Sequence, residues 1–262
     1  MSADVDGCQR AAFRMQLDPA FAARILDGDV AAIASTGLGP REIAWLRATD
    51  RAAWLAEPRR REQVIGNIAG EFALTAALAP KVRLDRFLGT DGMHAAIAGD
   101  RSLPLAFAEW LVPLVPPSAR PVATLEAEMA RARRLQDPRP DAEIRLARGA
   151  RMVTLPGGTV AYAADLRVAL DARASPPPRP VARPDALVVL APRPTRRWTL
   201  PEVAVEEVGG AVAAVILASR DGIRRADFAV LAAAWEAGPG DVERVVDELV
   251  ADGYLETNAP IG

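Results

Sequence analysis

The pattern that most constrains the fold lies near the C-terminus, in the stretch GDVERVVDELVADGYLE, residues 240–256. Its apolar residues recur at intervals of three and four positions: Val242, Val245, Val246, Leu249 and Val250. This spacing places them on one side of a helix, so it predicts an amphipathic helix that packs on a core through that side. Asp241 is the expected N-cap, Gly253 ends the helix, and a short strand is expected to follow.

The segments before this helix set its context. DALVVLAPRP (185–194) and RWTLPEVAVEE (197–207) contain β-branched, apolar residues and predict two strands. VGGAVAAVILAS (208–219) is almost entirely apolar and predicts a helix buried on most sides, and RADFAVLAAAWEAG (225–238) predicts another helix. Strands, then three helices, then a β-tail is the order of a winged helix. We therefore expect a small winged-helix-like domain over residues 185–262.

Proline residues at successive expected helix starts indicate a helical domain in the first half of the chain. Asp18 before Pro19 marks a helix start, and Pro40 and Pro58 open two further helices. The helix from Pro58 is expected to run to about Pro80. Gly66 and Gly70 lie four positions apart on it, a spacing that would suit another backbone packed closely against that side. An all-helical domain is expected over residues 1–140.

Residues 141–184 are expected to link the two domains. RMVTLPGGTVAYA (151–163) predicts a β-hairpin, because two runs with β-branched residues flank Pro-Gly-Gly. ASPPPRPVARP (174–184) is rich in proline and predicts an extended connector. The predicted fold class is thus α+β, with an all-helical N-terminal domain followed by the small winged-helix-like domain.

Composition restricts the chemistry that this chain of 262 residues can carry. It has one histidine, His94, and one cysteine, Cys8, which disfavours a histidine-rich metal site and an internal disulfide. The carboxylate pairs Glu126/Glu128 and Glu206/Glu207 are expected on solvated surfaces. No apolar run reaches the length of a membrane span and no signal peptide is evident, so we expect a cytoplasmic protein. No catalytic group of residues emerges.

The charge distribution bears on the partner of the C-terminal domain. Residues 199–257 hold twelve acidic residues and four arginines. The polar side of the last helix carries five acids and only Arg244, whereas binding to DNA depends on Lys and Arg near phosphates. Nucleic acid is therefore an unfavourable partner.

A winged helix can instead accept an extended peptide as an added strand. The candidate edges are the strands around 187–190 and 203–205, and the alternative is that both are ordinary paired core strands. The residues predicted to bind a peptide lie on these strands and on the last helix: Leu187, Val189, Val203, Val205, Glu243 and Asp247.

Two arginine clusters are expected on helices. One contains Arg59, Arg60 and Arg61, and the other contains Arg131 and Arg134. Each is interpreted either as a solvated surface or as a docking surface for an acidic partner.

Several segments together resemble a known family. RRREQVIGNIAGEFALTAALAP (59–80) and FLGTDGMHAAIAGDRSLPLAFAEWLVPLV (87–115) are similar to the helical domain of the MbnC-like partner proteins of multinuclear non-heme iron oxidases, known from methanobactin and thiaglutamate biosynthesis. The region from 168 onward, with its strand LVV and three helices, resembles the family's winged-helix-like domain, a fold similar to the recognition elements for ribosomally made, modified peptides. Arg60 and Arg61 stand where many relatives have a Tyr-Arg pair.

This resemblance implies a non-catalytic accessory subunit. Such a subunit binds a TIM-barrel multinuclear iron oxidase, captures the leader of a ribosomally made precursor peptide and presents the peptide for oxidation. The iron belongs to the partner, and no cofactor is expected in this chain. The main rival is a winged-helix transcriptional regulator whose helical domain binds a ligand or mediates dimerisation; a free-standing enzyme is a third interpretation.

Overall fold

The computed structural model describes residues 4–55, 58–134, 141–179, 183–193, 201–234 and 238–258. Contacts divide the chain into two compact units, Met1–Val115 and Pro116–Gly262. Helices and small antiparallel sheets together confirm the α+β class. Within the described residues, none of the helices has the length and apolar character needed to cross a membrane.

The described part of the first unit is helical throughout, as predicted. Its elements follow one another through short turns: α1 Val5–Leu17, α2 Pro19–Asp27, α3 Val30–Ala34, α4 Pro40–Ala48, α5 Arg51–Leu55, α6 Pro58–Glu71, α7 Ala73–Leu78, a 3-10 helix Leu84–Gly89, α8 Asp91–Ala98 and α9 Leu103–Leu114. The predicted starts at Pro19, Pro40 and Pro58 are confirmed. The single helix expected from Pro58 to Pro80 is instead interrupted at Phe72, whose φ of −122° and ψ of 31° depart from helical values.

Aromatic rings form the centre of part of this unit. Phe107 of α9 packs edge-on against Phe72 and Phe87, with ring centroids 5.1 and 5.2 Å away. All three rings are fully buried. The interruption at Phe72 therefore lies where a ring is buried, and such contacts add to the hydrophobic stabilisation of this region.

No backbone of the described residues packs closely against Gly66 and Gly70, contrary to what their spacing suggested. Both lie on the exposed side of α6, and a Cβ added at either position would meet no atom of the described residues within 4 Å. The predicted close approach of another backbone is therefore wrong. Both glycines have the negative φ of an ordinary helix, so they only weaken it.

A polar cluster joins three helices of the first unit. The Asp18 carboxylate accepts hydrogen bonds from the amides of Ala20 and Phe21, each 3.1 Å long, and so caps α2 as predicted. The Nε2 of His94 lies 3.0 Å from the same carboxylate, without meeting full hydrogen-bond geometry. On the other side of the ring, Arg14 donates to Nδ1 over 2.8 Å, and its guanidinium stacks 3.5 Å above the Phe21 ring.

The surroundings of Asp18 act on its pKa in opposite directions. Burial raises the pKa, but the His94 ring and the amides of Phe21 and Ala20 together outweigh burial and hold it below the ordinary value of 3.8. A lowered pKa in the folded state means that the ionised carboxylate stabilises the fold above pH 3.8. This stabilisation is lost as the pH falls through the folded value.

The second unit surrounds a three-stranded sheet with helices. Its elements in chain order are α10 Arg120–Arg134, β1 Ile144–Leu146, β2 Arg151–Pro156, α11 Thr159–Asp171, β3 Asp185–Arg193, β4 Glu202–Val208, α12 Gly210–Ser219, a 3-10 helix Arg225–Asp227, α13 Phe228–Ala234, α14 Pro239–Ala251 and β5 Leu255–Thr257. The three helices and the β-tail expected after residue 208 are confirmed. Residues 197–200 of the predicted second strand and Trp235 lie outside the described residues.

Two sheets organise this unit, and both are antiparallel. The larger has the order β2-β3-β4, and in the smaller β1 pairs with β5. Ile144 of β1 also forms an isolated bridge to Ile223, so β1 has a neighbour on each side. Alternate residues of β3 face opposite sides of the larger sheet. Val189 and Ala191 join the core formed with α12 and α14.

The predicted apolar side of the last helix is confirmed. Val242, Val246 and Leu249 are buried in the same core, and Val245 and Val250 are packed against it. The helix begins one turn earlier than expected, at Pro239. Asp241 is therefore not the N-cap, and its carboxylate accepts a hydrogen bond of 3.0 Å from the Gly238 amide.

The structure corrects two expectations for the middle of the chain. The helix Arg120–Arg134, expected in the N-terminal domain, groups with the second unit and contacts β2 and β3, so the boundary lies near residue 115 rather than 140.

Residues 151–163 form a strand followed by a helix, not a hairpin. Because β2 pairs with β3 from Arg151 to Pro156, residues 141–184 are part of the second unit rather than a connector. Of the predicted proline-rich connector, residues 174–179, 183 and 184 are described, and they lie outside helix and strand.

The start of α11 explains why the expected hairpin does not form. Gly158 adopts a φ of +85°, a conformation that favours glycine, and directs the chain out of the sheet. The Glu207 carboxylate then accepts hydrogen bonds from the amides of Gly158 and Val160, both 3.0 Å long. These bonds satisfy two amides at the start of the helix, so the chain turns into α11 where the sequence suggested a second strand.

Replacing Gly66 or Gly70 by alanine is expected to raise the free energy of unfolding by up to about 1 kcal/mol each, because alanine stabilises an exposed helix. Gly149→Ala is the control. Gly149 has a φ of +77°, and its Cβ would lie 2.8 Å from the backbone oxygen of Ala132, so this variant should be destabilised. Denaturant titration measures all three. Destabilisation by Gly66→Ala and Gly70→Ala would show that another surface packs there.

Asp18→Asn is expected to lower the free energy of unfolding at pH 7 by about 1–3 kcal/mol, because the amide cannot replace the charged acceptor. The deficit relative to the native chain should shrink as the pH falls below 3.8 towards the lower pKa of the folded state, through which Asp18 itself becomes protonated. Denaturant titrations of both proteins between pH 3 and 7 test this. A deficit that stays constant over this range would contradict the role given to the ionised carboxylate.

Candidate functional site

The sheet order decides which of the predicted edges is open. β3 is the central strand of the larger sheet. The backbone of Leu187 lies between Thr154 and Val208, and that of Val189 lies between Met152 and Glu206. Of the two candidate edges, that of β3 is excluded, and for this strand the alternative of an ordinary paired core strand holds. The pairing of residues 151–156 with β3 was not predicted, because the expected hairpin would have paired them locally.

Val203 and Val205 lie on β4, which pairs on one side only among the described strands. Val203 is buried, and Val205 is partly buried. Of the neighbouring glutamates, Glu206 is exposed as expected, and it also interacts with Tyr254. Glu207 is partly buried and caps α11, so it is not the solvated residue that the sequence suggested. Burial, followed by the effect of Glu206, raises the pKa of Tyr254 to about 12, so this tyrosine stays neutral.

Glu243 and Asp247 are exposed on α14, as predicted. Glu243 has a partner, since its carboxylate lies 2.5 Å from the Arg225 guanidinium. Asp241 on the same helix lies 3.0 Å from Arg244. The carboxylates of Glu243 and Asp241 on α14 are thus each paired with an arginine of the same unit.

The second edge that is open among the described strands belongs to β2, and a groove of about 480 Å³ runs beside it. The strand and the loop before it form one wall, and the end of α12 forms the other. The residues that line this groove include Arg148, Met152, Thr154, Leu187, Leu217 and Arg220. Leu187 therefore lines a candidate site through its side chain, although its backbone is fully paired.

The groove combines an apolar floor with an open strand. Leu217 is 51 % exposed although it lies in the most apolar helix of the unit. Met152 pairs directly with Val189, and Thr154 with Leu187, so these four side chains share one side of the sheet. Alternate residues of an edge strand direct their N–H and C=O groups outward, where another strand can pair with them.

A buried carboxylate holds β2 in position from the opposite side. Glu128 of α10 is only 9 % exposed and lies 2.8 Å from Arg151 and 2.6 Å from Arg131. Glu126, on the same helix, is 2 % exposed. The expectation that these two glutamates form a solvated surface is therefore wrong, because α10 packs on the sheet. A charge-assisted bond between α10 and the first residue of β2 fixes this end of the open strand.

The predicted docking arginines lie in two different units. Arg59, Arg60 and Arg61 start α6 in the first unit, and Arg60 donates a hydrogen bond to Gln16. Arg131 and Arg134 lie on α10 in the second unit. Arg131 is engaged by Glu128, and Arg134 donates to the carbonyl of Ala130 over 3.2 Å. The second cluster therefore does not belong to the predicted helical domain.

Leu217 and the β2 edge are features that sequence reasoning missed. Nearly every residue of α12 is apolar, which favours complete burial, and no polar residue marks the exposed side. The strand at 151–156 was recognised, but its partner was not. The length of β3 could have indicated a second partner strand, because its nine residues exceed the seven of β4.

No protein-family model matches this chain, and no curated protein is significantly similar to it. The candidate site is therefore defined by the groove itself: an open antiparallel strand, an apolar floor that contains an exposed leucine, and arginines among the lining residues. These features are typical of a site that binds an extended polypeptide.

Proposed function

We propose that this chain is a non-catalytic accessory subunit that binds the leader of a ribosomally made precursor peptide and presents the peptide to a multinuclear iron oxidase of TIM-barrel fold. The observation that carries the proposal is the groove beside the open edge of β2. The partner and the reaction come from the family resemblance. The iron would be held by the oxidase.

The groove supports peptide capture by strand addition. A peptide laid along β2 would form main-chain hydrogen bonds, which give affinity for any sequence in an extended conformation. Every second side chain would point towards Met152 and Leu217, where a pocket can select its size and polarity. Both requirements for recognition of an extended peptide are thus present at one strand.

The arrangement of the last helices supports a winged-helix-like domain. The order is α12, the bridge residue Ile223, α13, α14 and β5, which is the order of the helices and first strands of a winged helix. β1, which comes before all of them in the chain, pairs with both Ile223 and β5. β1 would occupy the position that the second strand of the wing occupies in a usual winged helix.

The start of α6 is the better candidate for docking the oxidase. Arg59 is exposed on a helix of the first unit, beside Arg60, which hydrogen-bonds the neutral Gln16, whereas Arg131 is paired with the carboxylate of Glu128. An acidic surface on the oxidase would match these arginines. Docking through one unit and peptide capture through the other would let the subunit hold both partners at once.

The rival function, transcriptional regulation, is disfavoured by the exposed side of α14. It presents Asp241, Glu243, Asp247 and Glu248 with only Arg244. A recognition helix of this charge would be repelled by phosphates in the major groove. Fluorescence anisotropy with duplex DNA at low salt would distinguish the two functions, since we expect no binding.

The groove predicts which variant loses peptide binding. Selection of a display library of random peptides on the full chain should enrich extended, apolar-containing sequences. The enriched peptides should bind Leu217→Glu at least about ten-fold more weakly by calorimetry, because a carboxylate then occupies the apolar floor.

Val230→Glu is the matched control, because Val230 is 73 % exposed on α13 of the same unit and does not line the groove. It should bind the enriched peptides as the native chain does. Failure to enrich any peptide, or equal binding by Leu217→Glu, would contradict the proposed function.

A further inference from the structure

The alternation of hydrogen bonds along β2 determines which of its backbone groups face the open edge. The amide of Gly157, one position beyond the Pro156–Asp185 pair, donates to the carbonyl of Pro184 over 3.0 Å. In an antiparallel ladder, hydrogen-bonded pairs occur at every second position. The odd-numbered residues of β2 therefore bond to β3, and the even-numbered residues direct their N–H and C=O groups to the open edge.

A proline in β3 supports this assignment. Leu190 is the last residue of β3 that pairs with β2, and position 192 is the next one directed to the same side. Pro192 stands there, where the ladder with β2 has ended and no N–H is required. The opposite assignment would place Pro192 in a bonded pair with Val203 of β4, inside the ladder and without a donor.

Only two residues of the fully described strand β2 direct both an N–H and a C=O to the open edge, Met152 and Thr154. Pro156 contributes a C=O alone, because proline has no N–H. Before the strand, the amide of Ala150 already donates to the carbonyl of Ala147 over 2.9 Å. An added antiparallel strand can therefore exchange paired hydrogen bonds with β2 through two of its own residues, separated by one.

The same two residues of an added strand would face the groove. Directly opposed residues in an antiparallel pair project their side chains to the same side of the sheet. Side chains opposite Met152 and Thr154 would thus lie over the apolar floor, which includes Leu187 and Leu217. The residue between them would project to the other side, where α10 contacts β2. Main-chain bonding and side-chain selection act on the same two positions.

We infer that the groove binds an extended segment of the form aliphatic–any residue–aliphatic, added antiparallel to β2. This inference rests on the proposed function and specifies the class of leader that it would recognise. The first aliphatic residue lies opposite Thr154 and the second opposite Met152. Neither can be a proline, because each donates its N–H to β2. The middle residue can lack an N–H, since its amide is directed away from β2.

The test uses the full chain and a short capped peptide in which Val-Gln-Val lies between serines. Three derivatives carry an N-methyl group on the first valine, on the glutamine or on the second valine. At either valine the methyl group removes a donor at the strand interface, so binding in calorimetry should weaken at least about ten-fold. At the glutamine the affinity should stay within about two-fold of the parent peptide, because that nitrogen has no partner in β2.

A variant of the groove tests the position of the first valine. Thr154→Val should tighten binding of the parent peptide about three-fold, because a methyl group replaces the hydroxyl beside that side chain. Thr257→Val is the matched control, because Thr257 is exposed on β5 and does not line the groove. It should bind the parent peptide as the native chain does.

Three results would overturn the inference. One is that N-methylation of the glutamine weakens binding most, or that all three N-methyl groups have the same effect. Another is that Thr154→Val binds the parent peptide no more tightly than Thr257→Val does. The third is that none of the peptides binds. In each case the library selection on the native chain decides the proposed function separately, since it presupposes no pattern of residues.

Discussion

The pairing of β2 with β3 is the interaction on which the second unit depends. Six residues of β2 pair with the central strand, which places Met152 and Thr154 on the side of the sheet that faces the groove. Glu128 fixes the first residue of β2 through Arg151. Without this pairing β3 would be an edge strand, and the wall of the groove would not exist. The position of β2 therefore determines both the sheet and the candidate site.

Local sequence patterns predicted most helices and strands, because their signals are local. The apolar positions of α14, the proline starts of α2, α4 and α6, and the β-branched centre of β3 each specify an element without long-range information. The predictions that were wrong concerned partners. Residues 159–163 became helical because Glu207, more than forty residues away, caps their amides. A hairpin pattern in the sequence cannot reveal that competing interaction.

The position of the candidate site differs from the one expected. Strand addition was expected at β3 or β4, whereas the groove lies beside the edge of β2. The burial of Glu126 and Glu128 was not predicted either, because an acidic residue on a helix is buried when the helix packs on a sheet.

Backbone amide hydrogen exchange of the full chain, with and without a saturating peptide from the library selection, tests the central claim most directly. If the peptide adds to the open edge, amides within residues 151–156 should gain protection at alternate positions, while those of β4 and α14 should remain unchanged. Protection centred on β4 or on α14, with none in β2, would contradict the account.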